Sequence, residues 1–134
     1  MKKYLHLGAK ILFSIILLLP IVGITGALGE PTRALYNTDL AYAFIMMLTD
    51  IGYINYMMVV VHALALFALW TKRELLGALL VLPITCNVVA FHAVIDGGLF
   101  TGGAVLGNLM LLINLYLLWA NRQLFRVLTE PQQV

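Results

Sequence analysis

The sequence predicts an all-α integral membrane protein. Four transmembrane helices form a bundle with both termini in the cytoplasm, and a short interfacial helix lies in the first outer loop. Three observations predict this. Of 134 residues, 63% are hydrophobic and only 10% charged, with a mean hydropathy of +1.00. That is far too little polar surface for a water-soluble domain of this size. Four apolar stretches approach the ~20 residues needed to cross the hydrocarbon core. Finally, once four spans are drawn, the basic residues fall almost entirely on one side.

The first span is expected over residues 11–29, "ILFSIILLLPIVGITGALG", behind the basic "MKKYLHLGAK". This opening also resembles a secretory signal, but no persuasive small-x-small cleavage site precedes Glu30, so it reads as a transmembrane helix. Residues 40–49, "LAYAFIMMLT", are apolar but too short to span. "NTD" before them offers a helix cap and "DIG" after them a stop, which predicts a short helix at the membrane interface. The second span covers 53–70, and the tight polar turn "TKRE" makes it the antiparallel neighbour of the third, 75–95. The fourth covers 103–120.

Charge sets the expected direction. Lys2, Lys3, Lys10, Lys72, Arg73, Arg122 and Arg126 lie on one side, whereas Arg33 lies on the other with Glu30, Asp39, Asp50 and Asp96. The excess of positive charge faces the cytoplasm. A single cysteine, Cys86, excludes an internal disulfide and a C-x-x-C redox pair. A net charge of +2, dispersed along the chain, gives no footprint for nucleic acid.

The candidate site comes from polar residues at matched depth. At about 1.5 Å per residue, His62, Asn87 and Asn114 on three different spans share one level near the membrane middle. His92, Asn108 and Asp96 form a second layer nearer the outer surface, with Asp96 one turn beyond His92. Polar side chains in hydrocarbon are expensive and point inward, so these six predict a polar seam between spans two, three and four, open to the outer side. The plainer alternative is that such groups only bond neighbouring helices, at about 0.6 kcal/mol each. Pro83 and Pro20 each remove a backbone donor in mid-span. Gly103 with Gly107, and Gly23 with Gly26, suggest close helix contacts. A b-type haem between His62 and His92 requires similar depth, and the two differ by roughly 7 Å.

Spans two to four resemble the DoxX-like family of small bacterial four-helix membrane proteins. The resemblance covers about two-thirds of the chain and rests on Gly52, Tyr53, Leu76, Gly77, Pro83, Asn87, Phe91, His92, Tyr116, Trp119 and Arg122, with "NVVAFH" after the proline as its most specific part. Family members often carry a glutamate in mid-span two, where this chain has His62. The resemblance implies an inner-membrane location and an association with quinone-linked oxidoreductases. The leading expectation is therefore an accessory subunit, binding a quinone-type ligand or a membrane or redox protein partner at the seam. A quinone-coupled redox subunit, with His92 and Asp96 as proton relay, is the alternative. A purely structural scaffold and a homo-oligomer also remain open.

Overall fold

The computed structural model describes residues 2–129, and among them the chain is all-α with no strand. Six helices run in order: α1 Lys2–Gly23, α2 Asp39–Ile51, α3 Tyr53–Trp70, α4 Glu74–Val94, α5 Ala104–Ala120 and α6 Arg122–Thr129. A 3-10 turn at Arg33–Leu35 interrupts the first long connection. The side chains of Lys2 and Arg126, which entered the charge count, lie outside those described, as do residues 1 and 130–134.

Three helices are long and apolar enough to cross a membrane: Lys3–Gly23, Tyr53–Trp70 and Glu74–Val94. The fourth expected span, α5, is an apolar helix of 17 residues, shorter than those three. The first expected span is displaced along the chain, since α1 begins at Lys2 rather than residue 11 and ends at Gly23 rather than 29. The stop is local. Thr25, Gly26 and Gly29 donate their N–H groups to carbonyls three residues back, and Gly26 and Gly29 adopt φ of 78° and 76°. That left-handed backbone suits glycine and cannot continue a right-handed helix.

Helix α2 starts where its cap was expected. Thr38 is extended, and its hydroxyl accepts the Ala41 N–H at 3.0 Å. Gly52, at φ 73°, closes α2 through its N–H to the Leu48 carbonyl and at once opens α3. The α3–α4 connection is equally tight, with Lys72 at φ 63°.

Helices α1, α3, α4 and α5 share one core, built from Phe13 and Leu17, Ala65 and Leu69, Ala78 and Val81, and Met110, Ile113 and Leu117. Their outward faces are no more polar: Ile15, Leu64, Phe67, Leu112 and Trp119 are all more than half exposed. Contiguous apolar exposure on this scale marks a surface made for a non-aqueous environment. When both faces are apolar, burial alone cannot choose the contact face, and small residues and polar pairs choose it instead. Gly77 is the clearest case. A β-carbon there would sit 2.9 Å from the Ala65 carbonyl oxygen and 3.3 Å from the Leu69 nitrogen, so α3 and α4 touch backbone to backbone.

The other glycine expectations divide. Gly103 and Gly107 do face α4, since a β-carbon added there would sit 3.3 Å from His92 and 2.9 Å from Val88 respectively. Gly23 and Gly26 make no helix contact: a β-carbon at Gly23, the last residue of α1, would meet only Leu28 at 3.8 Å, and one at Gly26 would meet nothing within 4 Å.

Candidate functional site

One face of α4 carries Val81, Thr85, Val88 and His92, spaced at the three- and four-residue intervals that align side chains along a helix. This face meets α5. Thr85 is fully buried, passes its hydroxyl hydrogen to the Val81 carbonyl at 3.1 Å, and accepts from Asn114 Nδ2 at 3.2 Å. Asn114 Oδ1 is buried and has no hydrogen-bond partner among the described residues.

Asp96, just beyond the end of α4, is the hub of a second cluster. Its carboxylate is fully buried and accepts the Asn37 backbone N–H at 2.7 Å, the Asn37 amide at 3.3 Å and the His92 ring at 2.9 Å. The Asn37 amide also donates to the Asp96 carbonyl, and the Thr38 hydroxyl donates to the Ile95 carbonyl at 2.6 Å. The first long connection is thereby fastened to the end of α4. Burial alone would raise the Asp96 pKa, but the Asn37 N–H, the His92 ring and the Asn37 amide together outweigh it and hold the carboxyl below its ordinary value. Nearby, burial and then the Asp96 charge push the Tyr36 phenol up.

His92 lies against the start of α5. Its Cε1 lies 3.3 Å from where a Gly103 β-carbon would be, and its Cδ2 lies 3.6 Å from that of Gly107. Nε2 is bonded to both carbons, so the nitrogen not engaged by Asp96 faces α5 rather than open space. The glycines at 103 and 107 make room for an imidazole.

The six expected seam residues therefore do not form one seam. His62 is buried on α3, with its Nδ1 at 2.7 Å from the Met58 carbonyl one turn back. Asn114 pairs with Thr85, and His92 pairs with Asp96. Asn108 donates to the Leu99 carbonyl at 2.7 Å and braces the α4–α5 connection. Asn87 is exposed and makes no side-chain hydrogen bond among the described residues. At 100° per residue it stands about 200° round the helix from Thr85, so the residue two places earlier takes the position expected of it.

An open cleft of about 410 Å³ lies elsewhere at this end of the molecule, between the end of α1, the glycine turns and the α2–α3 junction. Pro20, Ile24 and Met58 supply apolar walls, while Glu30, Thr49, Asn55 and Tyr56 supply polar groups. None of the six seam residues lines it, nor a smaller groove of about 160 Å³ between α1 and α5. Among the described residues no group of three or more His, Cys, Asp or Glu side chains could hold a metal ion.

The opposite end carries a network that the sequence reading did not anticipate. Glu74, at the start of α4, receives Lys10 at 2.7 Å and His6 at 2.8 Å, both from α1. Tyr116 Oη lies 3.4 Å from the other His6 nitrogen, and Asn121 reaches Glu74 at 3.5 Å. The Lys10 ammonium also lies over the Trp70 ring at 4.9 Å, while Trp70 donates to Ser14 at 2.9 Å. The available signal was the four-residue spacing of His6 and Lys10, which puts both on one face of a helix once α1 is known to start at Lys2. No family model, curated protein or solved structure matches the chain.

Proposed function

We propose that the chain is a multi-pass protein of the bacterial inner membrane, DoxX-like, in which α1, α3, α4 and α5 form a four-helix bundle with cytoplasmic termini. Helix α2 lies at the outer interface. The bundle is an accessory subunit that takes up a small hydrophobic ligand with a polar head, a quinone being the type example. The observation that carries this reading is the 410 Å³ cleft, whose apolar walls meet a few polar groups. Its size falls in the range of small-molecule sites, and its composition fits one. This moves the expected ligand position away from His62, Asn87, His92 and Asn114.

The test is solvent extraction and mass spectrometry of the detergent-purified protein, followed by titration with a short-chain ubiquinone. A co-purifying lipophilic compound, displaced by filling the cleft with Asn55→Trp, supports the reading. Absence of any such compound together with no quinone binding refutes it. A scaffold is favoured by a different observation: the Asp96 carboxylate is taken by Asn37 and His92, and the Thr85 hydroxyl by Val81 and Asn114. In that case Asn55→Trp leaves both extraction and phenotype unchanged.

A further inference from the structure

The polar groups of the cleft differ in what they can recognise. The Thr49 hydroxyl already gives its hydrogen to the Ile45 carbonyl at 2.9 Å, which leaves it an acceptor. Glu30, exposed at the rim, has no hydrogen bond and no ion pair among the described residues. The nearest basic residue in the chain, Arg33, is taken by Asp39 and by the Tyr36 carbonyl. This end holds four carboxylates, Glu30 and Asp96 in connections and Asp39 and Asp50 in α2, against that single arginine. A carboxylate accepts hydrogen bonds and attracts cations, so among polar head groups it favours a positive one. Tyr56, also exposed in the lining, offers a ring face of the kind that holds organic cations.

We infer that the cleft takes a lipophilic cation, an amine or onium centre with apolar substituents, whose charge is met by Glu30. Pro20, Ile24 and Met58 receive the apolar part, and the ring of Tyr56 flanks the charged centre. This rests on the reading of the cleft as a ligand site, and it replaces a neutral head group by a positive one. The acidic field of this end raises the local concentration of a cation before it docks.

Two ions of the same shape and opposite charge separate charge recognition from hydrophobic partition. Full-length protein in detergent is titrated calorimetrically with tetraphenylphosphonium and with tetraphenylborate, against empty micelles, and separately with a short-chain ubiquinone. The expected result is binding of the phosphonium at least tenfold tighter than the borate. Glu30→Gln should weaken the phosphonium about tenfold without weakening the borate, with helical circular dichroism unchanged. Equal binding of the two ions, or an unaltered phosphonium affinity in Glu30→Gln, overturns the cation inference. If ubiquinone binds the wild type and Glu30→Gln alike while the phosphonium does not bind, this inference falls and the cleft reading stands. If none of the three ligands binds, both fall.

Discussion

Replacing Asp96 by Asn changes one atom and tests whether its carboxylate is the fastening of the first long connection. The amide oxygen can still accept the Asn37 N–H, now at 2.7 Å to a neutral group, while the amide nitrogen is brought to the His92 ring at 2.9 Å. Hydrogen bonds to a charged group are worth about 1.5–3 kcal/mol and neutral ones about 0.5–1.5. Converting these two short bonds therefore costs about 2–3 kcal/mol at pH 7. Unfolding in mixed micelles, with dodecyl sulfate as denaturant and helical circular dichroism as signal, reads the global effect. Limited proteolysis between residues 24 and 38 reads the local one. The pH dependence has a defined sign. The folded-state pKa of Asp96 lies below the ordinary 3.8, so the folded protein holds fewer protons there than the unfolded chain. Its contribution is complete above about pH 4 and is lost as pH falls from there through the folded value. The wild-type advantage over Asp96→Asn should shrink across that window. A variant that unfolds with the wild type at pH 7, with the connection no more open to protease, would refute the account.

Gly77→Ala should destabilise by about 1–3 kcal/mol, because its new methyl meets backbone that cannot turn aside, at 2.9 Å from the Ala65 oxygen. Gly8→Ala, with nothing within 4 Å of the added carbon, should be neutral or stabilising by up to about 1 kcal/mol in the same titration. Thr85→Val takes away the Asn114 amide's acceptor and should cost about 1–3 kcal/mol, whereas Thr85→Val with Asn114→Leu should recover most of it. A double-mutant cycle measures that recovery. Asn87→Leu, on an exposed face, should change stability by no more than about 0.5 kcal/mol. Glu74→Gln should loosen α1, read as increased hydrogen exchange over residues 3–10, because Lys10 and His6 both bond to its carboxylate.

Composition and hydropathy carried most of what could be read of the fold. α3 has the bounds expected, α4 is displaced by one residue at each end, and α5 starts one residue later. The displaced first helix shows where that signal stops. Hydropathy is high through Leu28, but the backbone leaves the helix at Gly23 because glycines at 26 and 29 take left-handed angles. Depth was legible for the polar residues, and azimuth was not. Asn87 and Thr85 are at similar levels, yet only Thr85 faces α5, and an apolar helix carries no amphipathic pattern to fix its rotation. The partners of Asp96 were illegible for another reason. Asn37 lies 59 residues away, on a connection whose path no local pattern specifies. His92–Asp96, at helical spacing, was visible.

The separation between Asn37 and Asp96 also sets an order of events during synthesis. A chain emerging N-terminus first completes α1, α2 and α3 before residue 96 exists. Until then Asn37 has no carboxylate to bind, and residues 24–38 are held by their own turns and by the bonds of Arg33 and Thr38 to the start of α2. The first long connection is thus sealed only after α4 has been made. A ribosome-bound intermediate halted before α4 would present the connection untied, and the arrival of a single aspartate would close it.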